Sequence, residues 1–394
     1  MESRSIDLQA LSQAGTVALQ TGDAATARRN FEQIVATGYV DPNVWLALAI
    51  ACQKLSDHPA ALAAADKVLA LEPRNLNALV LKGDSLAVLG NERAAADFYQ
   101  VAVALASRAT NLPAPLVELV RNADAKRVRI HARVEAYLHE RLAASGYDTR
   151  RSSERFSQSL DLLLGKKQPY FQQPRAYFFP GLPQIQFYPR STFPWLDAVE
   201  AATDDICAEL MEVLKTPDVL VPYLQAPADV TPGASHRLLN NPDWTAFFLW
   251  KDGDVVPENA ERCPRTLAAL KDVPLSHIPG RTPSILFSVL KPGARILPHT
   301  GYVNTRLICH LPLVVPPGCR FRVGNEVREW ERGKAWVFDD TMEHEAWNSS
   351  DQLRVVLIFD VWRPELTAEE RELVAVLLDA ANTFGTGRIQ RWDA

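Results

Sequence analysis

The chain has 394 residues, of which 47% are hydrophobic and 23% are charged. This composition excludes a disordered or collagen-like protein, and the length predicts two or three domains. The 42 lysines and arginines stand against 47 aspartates and glutamates, so the formal net charge is −5. A balance so close to neutral argues against nucleic acid or an anionic membrane as the main partner.

The apolar runs and the cysteines indicate a cytoplasmic protein without a membrane span. Arg, Asp or Pro interrupts every apolar run before it reaches the roughly 18–20 residues that a membrane helix needs. The start, MESRSIDLQALSQAG, is acidic where a secretory signal is basic and then apolar, so a cytoplasmic location is expected. Five widely spaced cysteines without a CxxC pair argue against a disulfide framework or a thiolate zinc site.

A period of 34 residues runs through the first part of the chain. Gly22, Ser56 and Gly90 are spaced by 34 residues, and large apolar side chains, Phe31 and Tyr99, lie in the second helix of a repeat. Thirty-four residues is about the length of a tetratricopeptide helix–turn–helix unit. Small residues are expected where the two helices of a unit cross closely, with a bulky side chain beside them.

The period predicts three tetratricopeptide repeats at about 8–41, 42–75 and 76–109, within a helical domain at 1–110. A helical connector and linker is expected at 111–167. Stacked repeats commonly bind a peptide or a partner protein. The alternative is that these helices only pack against the next domain.

Residues 168–394 have a different composition, with proline-rich loops between short runs of Val, Ile, Leu and Phe. Such runs, separated by turn residues, predict strands of a sandwich or barrel. The chain is therefore expected to be an α+β multidomain protein. The predicted strands are 284–290, 306–315, 319–323, 334–339 and 353–362.

Two histidines and an arginine near these strands have the spacing of a metal site beside an anion site. His299 follows one predicted strand, His344 follows another, and Arg354 lies ten residues further on. Two imidazoles suit Fe(II), Zn, Cu or Ni, and an arginine can grip a carboxylate with two parallel hydrogen bonds. Asp339 and Asp340, just before His344, are either turn-forming residues or a metal carboxylate.

Three residues of the strand RLICHL are expected to share one face. Arg306, Ile308 and His310 are spaced by two, and alternate residues of a strand point to the same side of a sheet. That face should look into the barrel. Cys309 should point to the opposite side, which makes it an unlikely ligand.

Three longer motifs extend this pattern: HTGYVNTRLICHLPLVVP, WERGKAWVFDDTMEHEAWN and LRVVLIFDVWRPEL. Together they closely resemble the aspartyl/asparaginyl β-hydroxylase family, and a weaker resemblance extends over about 175–370. The resemblance implies a jelly-roll fold, that is, a double-stranded β-helix. It also implies a dioxygenase that uses Fe(II), 2-oxoglutarate and O2.

The resemblance assigns roles to individual residues. His299 and His344 would be the iron ligands. Arg354 would hold the distal carboxylate of 2-oxoglutarate with help from Ser288, while His310 would lie near the carboxylate that is closer to the metal. The usual third ligand, a carboxylate two residues after the first histidine, is absent because that position is Gly301, as is common in this family.

The same resemblance predicts substrate-binding residues. Arg306 matches an arginine that meets the substrate's carboxylate, and Trp250 is expected either to wall the substrate pocket or to lie in the core. Family members carry a second arginine where this chain has Ile308, which makes substrate recognition a point of departure from the family.

The resulting hypothesis is hydroxylation of the β-carbon of an aspartyl or asparaginyl residue in a peptide or protein that the repeats present. One alternative keeps the chemistry but places it on a small-molecule or lipid-linked substrate, because Ile308 makes the pocket less cationic. Another is a repeat scaffold whose barrel has lost catalysis.

Overall fold

The computed structural model describes residues 7–225 and 239–384. Contacts between Cα atoms divide the chain into two compact units, Met1–Lys166 and Lys167–Ala394. His236 lies outside the described residues. None of the helices in the described part of the chain combines the length and the apolar character needed to cross a membrane.

The first unit is helical, and its first six helices form three antiparallel pairs whose first members begin 34 residues apart, at Leu8, Pro42 and Leu76. Each of these six helices is preceded by an Asp or Asn whose side chain accepts a hydrogen bond from the first turn, which is the preferred N-cap chemistry. The helices are α1 (Leu8–Gln20), α2 (Ala24–Ala36), α3 (Pro42–Lys54), α4 (His58–Leu71), α5 (Leu76–Val88), α6 (Glu92–Ala106), α7 (Ala114–Ala144) and α8 (Glu154–Leu163).

Glycines on the first helix of two pairs allow the second helix to approach closely, as the sequence predicts. A Cβ atom at Gly83 in α5 would lie 2.5 Å from Cε1 of Tyr99 in α6, and one at Gly15 in α1 would lie 2.8 Å from Cζ of Phe31 in α2. Both aromatic rings are almost fully buried. The period in the sequence therefore records a packing requirement.

Replacing Gly83 with alanine is expected to lower the free energy of unfolding of the first unit by about 2 kcal/mol, because the added methyl group overpacks against the Tyr99 ring. Urea unfolding followed by circular dichroism measures this loss. The matched control is the same change in a Tyr99→Leu background, where the alanine should cost clearly less. An equal cost in both backgrounds would contradict the packing argument.

The second unit contains two antiparallel sheets and five α-helices within its described residues. The helices are α9 (Leu196–Ala201), α10 (Thr203–Leu214), α11 (Pro257–Ala260), α12 (Pro264–Ala269) and α13 (Ala368–Thr383). The strands are β1 (Val221–Pro222), β2 (Trp244–Lys251), β3 (Asp254–Val255), β4 (Ile285–Leu290), β5 (Arg295–His299), β6 (Arg306–Val314), β7 (Cys319–Val323), β8 (Glu326–Glu329), β9 (Trp336–Phe338), β10 (His344–Asn348) and β11 (Arg354–Trp362).

The larger sheet has the order β1-β2-β4-β11-β6-β9, with β3 paired to β2, and the smaller sheet has the order β5-β10-β7-β8. All of their strand pairs are antiparallel. The α+β prediction is thus confirmed, and each of the five predicted strands overlaps an observed one.

The larger sheet is buried on both faces, which explains why its strands read as almost continuous apolar runs. On one face, residues such as Phe287 and Leu357 pack against α9 and α10. On the other, residues such as Phe248 and Val356 pack toward Phe321 and other residues of the smaller sheet. Because side chains alternate along a strand, the polar residues on this second face lie between the two sheets.

A bulge in β2 places Trp250 in the core, the second of the two positions expected for it, and not in the wall of the cavity. The register between β2 and β4 shifts between Phe248 and Trp250, so Trp250 turns to the opposite face from Trp244 and Phe248. Trp250 packs against the core beneath the helices, and its ring lies 5.8 Å from that of His277. Trp244 lines the cavity instead.

Candidate active site

A cavity of about 310 Å³ opens in the second unit and is lined by residues of both sheets. Arg306, Ile308 and His310 of β6 all line it, which confirms the predicted shared face, whereas Cys309 is buried in the core on the other side. Apolar side chains form much of the wall. Among them, Tyr223 stacks on Trp244 with the ring centroids 4.1 Å apart.

The two predicted metal-binding histidines meet in this cavity. His299 ends β5, His344 begins β10, and the two are direct partners in the antiparallel register, with ring centroids 4.1 Å apart. Nδ1 of His299 lies 2.7 Å from the carbonyl oxygen of Leu297, and Nδ1 of His344 lies 3.0 Å from that of Met342. When each Nδ1–H donates to its carbonyl, both Nε2 atoms keep a lone pair for a cation.

Both imidazoles are held in the neutral form that binds metal. Burial lowers the pKa of His344 to about 4. Burial, together with the neighbouring His344, lowers the pKa of His299 well below its usual value. Two neutral imidazoles this close, with both Nδ1 atoms already engaged, fit one shared divalent cation.

A carboxylate lies beside this pair but comes from a different part of the chain than in the usual three-ligand motif. A Cβ atom at Gly301 would overlap the carboxylate of Asp340, so Asp340 fills the space in which a side chain at position 301 would lie. Gly301 N also donates to the carbonyl oxygen of Asp340 at 2.7 Å. Within residues 7–225 and 239–384, no cluster of three His, Cys, Asp or Glu has a geometry that could hold a metal, so the fit is to two imidazoles.

Arg306 is engaged inside the protein. Its guanidinium lies 3.1 Å from Oδ2 of Asp340 and 3.2 Å from Oδ1 of Asp360. Burial opposes its charge, but the two carboxylates outweigh that effect and raise the pKa of Arg306. The prediction that Arg306 receives a substrate carboxylate therefore meets a competing arrangement, in which two internal carboxylates already bind it.

Arg354, by contrast, is a buried cation without a carboxylate among the described residues. Its side chain is 1% exposed, and its guanidinium lies 4.9 Å from the centroid of the Trp330 ring. Burial lowers the pKa of Arg354 to about 10, so it stays charged at neutral pH. A buried charge without a counterion costs free energy, which indicates a site built for an anion.

Further polar atoms around Arg354 also lack partners. Nε of Arg354, Nδ1 of His310 and Nε1 of Trp330 are buried without a hydrogen bond, and all three residues line the cavity. Ser288 accepts a hydrogen bond from Nε1 of Trp244 at 3.1 Å, which leaves its hydroxyl hydrogen free to donate. Unsatisfied buried polar groups are rare, and this set fits the carboxylate of a small acid.

The loop that carries Asp340 is fixed by a network that the sequence analysis did not anticipate. Arg363 and Asp339, both fully buried, form an ion pair with an Nη1–Oδ2 distance of 3.1 Å. Asp339 also accepts a hydrogen bond from Gln172 Nε2 at 2.7 Å. The sequence contains one signal for this ion pair, because Asp339 and Arg363 are charged residues that each directly follow an apolar strand. Asp339 is thus a structural residue, whereas Asp340 belongs to the cavity.

Both units contain residues that match the sequence model of a known family. Residues 200–364 match the sequence model of the aspartyl/asparaginyl beta-hydroxylase family, and residues 13–66 and 46–110 match tetratricopeptide repeats. The second unit contains an aspartyl/asparaginyl beta-hydroxylase domain. The first unit contains tetratricopeptide repeats, as predicted.

Curated relatives of the hydroxylase domain include two kinds of enzyme. The aspartyl/asparaginyl beta-hydroxylase of Mus musculus is 43% identical over 33% of this chain and 17% of its own length. An ornithine lipid ester-linked acyl 2-hydroxylase of Rhizobium tropici is 38% identical over 45% of this chain and 60% of its own. The chain thus spans less than two thirds of the length of either relative.

Solved structures align with about a third of the chain. The translocator chaperone SycD of Yersinia enterocolitica aligns with 34% of this chain and 99% of its own, at 16% identity and a TM-score of 0.30.

Proposed function

We propose that the second unit is an Fe(II)- and 2-oxoglutarate-dependent dioxygenase that hydroxylates the β-carbon of an aspartyl or asparaginyl residue in a polypeptide. The observation that carries the proposal is the presence, in one cavity, of two neutral imidazoles and a buried arginine for which the described residues provide no counterion. In the same proposal the two sheets are the two halves of a double-stranded β-helix, and the repeats bind the polypeptide.

In this proposal, separate residues hold the iron and the cosubstrate. His299 and His344 would hold the iron through Nε2, while their Nδ1 atoms keep both rings oriented by bonds to the backbone. Arg354 would bind the distal carboxylate of 2-oxoglutarate, with Ser288 and His310 as neighbouring polar groups. Bound iron, with 2-oxoglutarate and O2, supplies the oxidising power that an unactivated C–H bond requires.

The remaining lining residues exclude water and orient the substrate. Ile308, Ile358 and Phe338 line the cavity with apolar surface. Such walls keep the reacting carbon dry and limit where it can lie, which is the protein's main contribution to a cofactor-driven reaction.

A second candidate function uses the same chemistry on a small-molecule or lipid-linked substrate. Ile308 supports it, because this residue puts an apolar side chain where family members carry an arginine. The similarity to the Rhizobium tropici lipid hydroxylase points in the same direction.

The experiment is to incubate the purified full chain with Fe(II), 2-oxoglutarate and pools of aspartyl or asparaginyl peptides. We expect succinate to form and one oxygen atom to be added to a peptide, measured by mass spectrometry. The matched control is the double variant His299→Ala, His344→Ala, which should retain its fold by circular dichroism, bind no iron by elemental analysis and form no succinate. Wild-type protein that binds no iron, or forms no succinate, would contradict the proposal.

A further inference from the structure

Among the described residues, three arginines line the cavity, and they differ in the partners that their charges have. Arg306 is bound by the carboxylates of Asp340 and Asp360. Arg354 lies buried against Trp330, where the proposed function places the cosubstrate. Arg175 also lines the cavity, but it is exposed to solvent, and no carboxylate in the described part of the chain forms an ion pair with it.

The backbone around Arg175 is fixed to both loops that carry the histidines. Its amide donates to the carbonyl oxygen of Gly301 at 3.0 Å, and Gly301 lies two residues after His299. The amide of Gln173 donates to the carbonyl oxygen of Thr341 at 2.7 Å, and Thr341 lies three residues before His344. The chain near position 175 therefore bridges the two loops at the edge of the cavity.

Arg175 lines the same cavity as His299 and His344. Because residues 173 and 175 are hydrogen-bonded to the segments that carry these two histidines, the arginine is held at the side of the cavity where they lie. Arg175 is thus an accessible cation beside both proposed metal ligands, without a carboxylate partner in the described part of the chain.

We propose that Arg175 is the substrate-binding residue that receives the substrate's carboxylate, and that it makes the enzyme select aspartyl over asparaginyl residues. The inference rests on the proposed function and deepens it. It also accounts for two departures from the sequence-based prediction: Arg306 is occupied by internal carboxylates, and Ile308 cannot bind an anion. A guanidinium discriminates a carboxylate from an amide because only the carboxylate offers two charged acceptors.

The same segment offers apolar surface for the rest of a polypeptide. Phe171 and Phe178, on either side of Arg175, are 59% and 55% exposed. Exposed aromatic side chains beside an accessible arginine are typical of a surface that binds a peptide. The segment from 171 to 178 would therefore contact the residues that flank the aspartate.

The test uses the full chain as wild type, Arg175→Gln, Arg175→Lys and a matched control, Arg332→Gln. Arg332 is also solvent-exposed, but it pairs with Asp204 and does not line the cavity. The probes are two peptide pools with random flanks around a single central residue, aspartate in one pool and asparagine in the other. Binding is measured by equilibrium dialysis against protein holding 2-oxoglutarate without iron, and turnover is measured separately with iron.

We expect Arg175→Gln to weaken binding of the aspartyl pool and to raise its KM about 10-fold, because one accessible charge-assisted contact is lost. The KM of the asparaginyl pool, kcat and the 2-oxoglutarate requirement should stay near wild type. Arg175→Lys should lose less than Arg175→Gln because it keeps the charge, and Arg332→Gln should change nothing.

The outcomes separate this inference from the proposed function. The role of Arg175 would be overturned if wild type bound neither pool or preferred the asparaginyl pool. It would also be overturned if the Arg175→Gln variant matched wild type or lost binding of both pools equally. Arg175-dependent binding of the aspartyl pool without any turnover of 2-oxoglutarate would support that role and contradict the oxygenase.

Discussion

Arg354→Met is expected to raise the 2-oxoglutarate concentration needed for half-maximal turnover by about 100-fold, because the cosubstrate loses a buried, charge-assisted pair of hydrogen bonds. The same change is expected to stabilise the ligand-free protein. Methionine removes a guanidinium that is 1% exposed and has no carboxylate partner among the described residues. Loss of function with a gain in stability is the signature of a residue kept for its ligand.

The sign of the stability effect follows from the pKa. Burial lowers the pKa of Arg354 from its usual 12.5 to about 10, which corresponds to a cost of about 3 kcal/mol for the charged form. Since the folded-state pKa is the lower one, this cost is fully present at neutral pH and is relieved only as the pH rises through and above about 10. The variant should therefore gain most at neutral pH.

Thermal unfolding with and without 2-oxoglutarate measures both effects. Wild type should be stabilised by the ligand, whereas Arg354→Met should have a higher Tm than ligand-free wild type and no ligand-induced shift. Arg332→Met is the control, because Arg332 is exposed and paired with Asp204. An Arg354→Met variant that still binds 2-oxoglutarate like wild type would remove this residue from the cosubstrate site.

The features that the sequence predicted well are those that depend on local period. The 34-residue repeat records the close approach of Gly83 to Tyr99, and alternation along β6 placed Ile308 and His310 on the cavity face. The first pattern arises because each helix–turn–helix unit repeats the same helix crossing, and the second because every second residue of a strand faces the same side of the sheet. The histidine pair followed from family motifs, and the structure brings its two members into register.

The features that the sequence did not predict depend on contacts between distant segments or on a bulge that interrupts the alternation of a strand. The sequence left the position of Trp250 open between the pocket and the core, because one bulge in β2 reverses the face of every residue after it. The place of Arg175 in the cavity wall was not predicted, because it depends on a backbone hydrogen bond to Gly301, more than a hundred residues along the chain. The two partners of Arg306 are likewise visible only once β11, which carries Asp360, and β9, which Asp340 follows, are paired with β6.

Gly301→Ala is expected to lower the free energy of unfolding of the second unit by about 3 kcal/mol. The added methyl group would overlap the carboxylate of Asp340, which is buried and pairs with Arg306. Relief requires that Asp340 move away and leave Arg306 with Asp360 alone, and breaking a buried ion pair is costly. Urea unfolding followed by tryptophan fluorescence measures the loss.

A double-mutant cycle with Asp340→Ala isolates this contact. Once the carboxylate is gone, Gly301→Ala should cost less than about 1 kcal/mol, so the two changes should be non-additive by about 2 kcal/mol. Additive costs would show that Asp340 does not occupy the space beside Gly301. If the cycle gives the expected coupling, a carboxylate introduced at position 301 would compete with Asp340 for one space. Position 301, two residues after His299, would then have to be glycine, because the Asp340 carboxylate of the β9–β10 loop fills the space beside it.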